Sequence, residues 1–155
     1  MYMQAYFTKL FGYDKWASTV LLNVFAEKTP VNPRIYELLS HMQSTQRIWL
    51  DRCLALPQST ERFMNRTPGK IREDMENYHQ AWIDYIRTLE PGDFDRFITY
   101  TNSAGQVFST KLQDVITQVI NHGTHHRGTI IGLMKKEGFL PPSLDYIACL
   151  WAGNI

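Results

Sequence analysis

The sequence predicts an all-α protein: a four-helix bundle with a short β-hairpin between its third and fourth helices and a packed C-terminal tail. Three observations carry this prediction. Four long segments repeat their apolar residues every three to four positions, the period of a helix with one buried face. A single stretch, 94–111, alternates instead and is rich in β-branched and aromatic residues. Proline, glycine and capping residues punctuate the joints between these segments.

The first helix is expected over about 3–27, where Phe7, Leu10, Phe11, Trp16, Val20, Leu21 and Val24 approximate one stripe. A break follows at 29-TPVNP-33, in which Asn32 can cap a second helix and Pro33 can occupy its first position. That helix is expected to reach about Leu56, burying Ile35, Leu38, Leu39, Met42, Ile48, Trp49 and Cys53, with His41 at the border of the same face. The polar stretch 57–69 is long enough to cross one end of the bundle. A third helix over about 70–89 turns Ile71, Met75, Tyr78, Trp82 and Ile86 inward.

The alternating segments 94-FDRFITYT-101 and 106-QVFSTK-111, separated by 102-NSAG-105, read as a hairpin lying across the bundle. Thr110 and Gln113 have the spacing of a capping box for the fourth helix, which is expected to run to about Glu137 and stop at Gly138. Beyond it, Leu144, Tyr146, Ile147, Leu150 and Trp151 make the tail too apolar for solvent, so it should pack on the bundle or on a partner subunit. The chain has no repeat and no low-complexity segment, and its 155 residues suit one domain spanning 1–155.

Charge narrows the function. Sixteen Lys and Arg oppose fifteen Asp and Glu, and neither sign forms a long run, which disfavours a surface that tracks nucleic-acid phosphates. No apolar run approaches membrane-spanning length and no basic segment precedes an apolar block at the N-terminus, so no membrane partner is expected. Cys53 and Cys149 are far apart and form no CxxC, which suits a reducing cytoplasm and marks neither as an activated nucleophile.

Chemistry concentrates in 121-NHGTHHRGTI-130, which holds three of the chain's five histidines. The expected core stripe of the fourth helix is Leu112, Val115, Val119, His122, His126, Ile130 and Leu133. His122 and His126, four apart, face one way along a helix and can share a metal ion. An unpartnered polar ring on a buried stripe costs about 1–3 kcal/mol, and one ion would partner both rings. The alternative is that each is a core histidine bonded to a hydroxyl or a backbone carbonyl.

His41 is the best candidate for a third ligand, and three neutral imidazoles leave coordination positions open for water or substrate. His125 is rotated by about 100° from His126 and should not share the ion. His79, in 76-ENYH-79, resembles half of a di-iron motif, but the fourth helix offers no second half, so it is expected to be exposed. Glu37 and Asp145 are candidates for carboxylates that orient the imidazoles. Gly128 and Gly132 form a smooth strip suited to helix packing or a dimer contact, and Arg127, off the stripe, is expected to be solvated, ion-paired or available to a substrate carboxylate.

His41 in 40-SHMQSTQRIWLDR-52, the block 121-NHGTHHRGTIIGLM-134, the tail 141-PPSLDYIACL-150 and the segment 12-GYDKWASTVLL-22 together resemble the DinB family of DinB/YfiT-like metalloenzymes. The resemblance covers nearly the whole chain. It implies a four-helix bundle, usually homodimeric, with a divalent metal on His41, His122 and His126. Zinc, nickel and iron all suit imidazole. The family name records induction by DNA damage and does not imply DNA binding. What the resemblance implies about activity is a metal-dependent enzyme that activates water or a low-molecular-weight thiol for transfer to a small electrophile, as a thiol transferase or hydrolase in stress or detoxification. The alternative is a non-catalytic, metal-stabilised dimeric bundle of a DNA-damage or stress response.

Overall fold

In the computed structural model, which describes residues 2–155, the long amphipathic segments form helices α1 (Tyr2–Glu27), α2 (Pro33–Cys53), α3 (Pro68–Arg87) and α4 (Leu112–Lys136). Between α3 and α4 come a 3-10 turn (Pro91–Asp95) and strands β1 (Phe97–Thr101) and β2 (Val107–Lys111), and a short helix α5 (Tyr146–Trp151) follows α4. Helices α1 and α2 each pack against both α3 and α4, so α1 faces α2 across the bundle's diagonal. No helix is long and apolar enough to cross a membrane among the described residues.

Local chemistry sets the boundaries. The Asn32 side chain accepts a hydrogen bond from the Arg34 N–H at 3.0 Å, and Pro33 follows it, as expected of an N-cap and N1 pair. Helix α2 stops at Cys53 rather than Leu56, because Ala55 takes the left-handed region at φ 53° and Pro57 follows. Helix α3 begins earlier than expected: Thr67 caps it by accepting from the Lys70 N–H at 3.2 Å, with Pro68 next. The expected first strand loses residues 94 and 95 to the 3-10 turn and Arg96 to its C-cap; within the turn Asp93 accepts from the Glu90 N–H at 2.7 Å.

The hairpin pairs Phe97 with Lys111 and Thr101 with Val107 in antiparallel register. Its turn is closed by Asn102, whose side chain accepts from the N–H groups of Ala104 and Gln106 at 2.9 Å, and by Gly105 at φ 79°. The capping box at Thr110 and Gln113 does not form. Thr110 lies within β2 opposite Ile98, and the first N–H of α4, on Leu112, donates instead to the Arg96 carbonyl at 2.9 Å. Gly138, at φ 73°, ends α4 as expected.

The core is divided by a polar layer. One apolar cluster gathers Phe7, Phe11, Trp82, Ile86, Phe94, Leu112 and Val115. The other gathers Leu21, Phe25, Ile35, Leu39, Met75, Ile130 and Met134. Between them lie the buried groups Asp14 and Ser18 of α1, Gln46 of α2 and Arg127 of α4. Arg127 pairs with Asp14 at 2.5 Å, and Gln46 donates to the other Asp14 oxygen at 2.7 Å, so one network ties three helices. Arg127 was expected off the buried stripe as a solvated, ion-paired or substrate-binding residue. It is ion-paired, but only 2% exposed, which removes it from any substrate.

This network also corrects the reading of α4. Its innermost residues include Ile116, Ile120, Gly123, Arg127, Ile130 and Met134, which rotates His122, His126 and Leu133 to partly buried flanks. Gly123 is where close approach matters: a Cβ there would fall 2.4 Å from the Asp14 carboxylate and 3.1 Å from an Arg127 nitrogen. Gly128 and Gly132 were expected to admit a helix or a dimer contact, yet among the described residues no other helix of the chain comes within 4 Å of a Cβ built on either. Replacing Gly123 with alanine should lower the melting temperature despite alanine's better helix propensity, whereas Gly128→Ala should raise it slightly, the fold gaining up to about 1 kcal/mol. Thermal melts of the two variants check the contrast.

The tail folds back as expected, but in part. Tyr13 donates to the Leu144 carbonyl at 2.8 Å, Tyr146 meets Tyr13 edge-on, and Cys149 is fully buried against this pair. Trp151 remains 80% exposed and Ile147 48%.

Candidate metal centre

His41 comes from the middle of α2, and His122 and His126 come from successive turns of α4, which packs against α2. Their rings meet at the level of the polar layer. The His122 Nε2 lies 3.1 Å from the His41 Nε2 and 3.0 Å from the His126 Nε2. The three donor atoms fall within 4.8 Å of one another, the one such histidine cluster among the described residues. His125 is exposed, with its ring centroid 5.0 Å from that of His126, and stays outside the cluster, as helical geometry requires.

His41 is held in place by a segment whose role the sequence reading missed. Its Nδ1 is 3.0 Å from the Arg62 carbonyl, and a carbonyl only accepts, so Nδ1 carries the proton and the Nε2 lone pair is free. The Phe63 ring stacks on the imidazole at 4.6 Å. The connection 54–67, whose polar part was read over 57–69 as crossing the bundle's end, is laid along α2 by two buried anchors. Asp51 accepts from the N–H and hydroxyl of Ser59 at 2.8 and 2.7 Å. Arg66 pairs with Asp74 at 2.7 Å and donates to the Ser40 carbonyl and the Ser44 hydroxyl, while the Ser40 hydroxyl donates to the Met64 carbonyl.

The visible signal for this clamp was the set of polar residues, Ser40, Ser44 and Asp51, placed among the apolar positions of α2. Neither expected carboxylate orients an imidazole: Glu37 pairs with Arg34 at 3.0 Å, and Asp145 sits at the start of α5 with no hydrogen bond to a histidine.

Electrostatics keeps the site uncharged. Burial pushes the His122 imidazole down to about 3, helped by His126, His41 and the Arg62 charge. His126 is pushed down to about 4, again chiefly by burial. His41 is also lowered, by burial first. His79, expected to be exposed, is half-buried where α3 meets the Phe11 backbone of α1, and it too is lowered by burial.

In each case the unfolded chain takes up a proton near the ordinary value of 6.5 that the folded chain resists. Stability of the metal-free protein is then complete above that pH and drains away as pH falls toward about 4 and about 3, the folded values of His126 and His122. Melting temperatures measured across this range should fall with pH, and fall less in His122→Ala.

The donor set fits a divalent transition metal. Three neutral imidazole nitrogens converge, and His122 Nε2 cannot donate to both of its neighbours, so hydrogen bonding alone leaves lone pairs facing each other. Zinc bonds of about 2.0–2.1 Å to nitrogen put tetrahedral ligands roughly 3.3 Å apart, close to the separations here. A cavity of about 400 Å³ opens beside this site, with His122 in its wall.

Fold and site together define a class: a helical bundle carrying three histidines positioned to hold one metal ion. Comparison with known proteins agrees. The family model described as DinB family matches residues 3–154, and the chain belongs to that family. It is also similar to Protein DinB of Bacillus subtilis (strain 168), with 26% identity over 157 residues covering 89% of this chain and 90% of the relative. No solved structure was found to match.

Proposed function

We propose that this DinB-family protein is a metal-dependent enzyme in which His41, His122 and His126 hold one divalent ion, zinc, nickel or iron, for nucleophilic attack on a small electrophile. The observation that carries the reading is the convergence of three neutral imidazoles beside a cavity large enough for a small molecule. When bound, the ion would lower the pKa of water or a low-molecular-weight thiol and so supply a nucleophile at neutral pH.

The chain's own residues do the rest. The Arg62 carbonyl fixes the His41 tautomer, and the Phe63 ring covers that imidazole. Residues Trp49, Tyr100 and Phe108 give the cavity apolar walls against which an electrophile can rest. In a thiol transfer the S–H proton leaves to solvent, a C–S bond forms, and the electrophile's leaving group departs with its bonding pair. Cys53 and Cys149 take no part. Both are buried, and burial pushes Cys53 up to about 12 and raises Cys149.

Two free, buried cysteines also support a reducing, cytoplasmic setting. The reading includes a homodimer, supported by the exposed aromatic residues Tyr2 and Tyr6 of α1. The test is a thiol-consumption assay with an aryl halide as acceptor. Turnover should appear in metal-loaded protein, vanish on chelation and stay absent in His122→Ala. Chelation that lowers the melting temperature, with no metal-dependent turnover across a broad set of electrophiles, would favour the non-catalytic bundle.

A further inference from the structure

The charge on the cavity wall goes beyond the histidines. Arg52 and Arg62 both line the cavity that His122 borders, together with Trp49, Tyr100 and Gln118, and no Asp or Glu lines it. Arg52 is held between two rings, its guanidinium carbon 4.5 Å from the Trp49 centroid and 4.7 Å from that of Tyr100. Its one hydrogen bond is long, 3.4 Å from Nη2 to the Thr101 carbonyl. Among the described residues neither arginine pairs with a carboxylate, whereas Arg34, Arg47, Arg66, Arg87, Arg96 and Arg127 all do.

A half-buried guanidinium stacked on aromatic rings is pre-oriented, and its free edge presents parallel N–H donors that match a carboxylate. Arg62 adds a second positive charge to the same cavity, and its carbonyl already touches the metal centre through His41. The apolar walls lower the local dielectric and strengthen both charges toward an anion.

We infer that this cavity is the substrate seat and that it takes a carboxylate-bearing small molecule, with the carboxylate on Arg52 and Arg62 and the reacting group toward His122. The inference rests on the metal-enzyme reading for what happens at His122. Anion recognition by the arginines does not need the metal. The two claims can therefore fail separately.

The probes are succinate and its uncharged analogue succinamide, titrated by calorimetry into the full-length protein at low ionic strength, metal-stripped and zinc-loaded. The wild type should bind succinate more tightly by roughly tenfold or more, since charge-assisted hydrogen bonds dominate such contacts. Arg62→Gln, at an exposed position whose backbone carbonyl to His41 the substitution keeps, should cut that preference. Arg52→Gln/Arg62→Gln should abolish it, with a cooperative thermal transition and zinc content retained. Equal binding of the two probes by the wild type, or a preference that survives in Arg62→Gln and in the double variant, would overturn the proposal. If the protein takes up no zinc but its metal-stripped form keeps an arginine-dependent preference for succinate, the metal-enzyme reading fails while the carboxylate seat stands.

Discussion

Replacing Arg127 with alanine is expected to lower the unfolding free energy by about 3–5 kcal/mol, the cost of leaving a buried carboxylate without its partner. Asp14 and Arg127 are each 2% exposed, and their contact joins α1 to α4 at the polar layer between the two apolar clusters. Arg127 also donates to the hydroxyls of Ser18 and Thr124 at 3.3 and 3.2 Å, so its loss strands several acceptors at once. Removing both charges together, as in Asp14→Leu/Arg127→Met, should cost less than removing one. A buried pair can be exchanged for apolar residues of similar volume at little cost, whereas an orphaned charge cannot. Chemical denaturation of the single and double variants measures the difference. Equal losses in both would show that packing, rather than the charge pair, holds this layer.

The second large effect is on metal binding. His122 is the middle member of the cluster, with its Nε2 within 3.1 Å of both others, so His122→Ala should weaken metal affinity by more than roughly a hundredfold, beyond what losing an outer partner typically costs. Its effect on the metal-free fold runs the other way. His122 is partly exposed, and its imidazole is disfavoured as a cation by burial and by its neighbours, so alanine should leave the metal-free protein no less stable at mildly acidic pH. Added metal stabilises a binding-competent fold by about 2.7 kcal/mol at a hundred times Kd, and this increment should be present in the wild type and missing in the variant. The two substitutions thus separate architecture from chemistry: Arg127→Ala lowers stability with or without metal, and His122→Ala removes only the response to metal.

Much of this was legible in the chain. Periodicity placed all four long helices to within a few residues, and Asn32-Pro33 and Gly138 marked ends through local backbone chemistry alone. The i, i+4 pair His122 and His126 was readable because helical geometry is local, and it also set His125 aside. What escaped the sequence was decided by partners far away in it. Arg127 was readable only as solvated, ion-paired or substrate-binding because its acid, Asp14, lies on a different helix, and that pairing rotates α4 so that His122 and His126 sit on the flank of the buried stripe, toward the cavity. Thr110 and Gln113 matched a capping box, but tertiary pairing of β2 claimed Thr110 first. The Arg62 carbonyl that orients His41 is a backbone atom, and no residue type at position 62 could have announced it.

The central claim is that three histidines from α2 and α4 hold one ion. Elemental analysis of tag-free protein, wild type beside His41→Ala/His122→Ala/His126→Ala, tests it most directly. The account predicts about one divalent transition-metal ion per chain in the wild type, as befits a three-imidazole site, and none in the triple variant. Full metal content in a folded triple variant would contradict it.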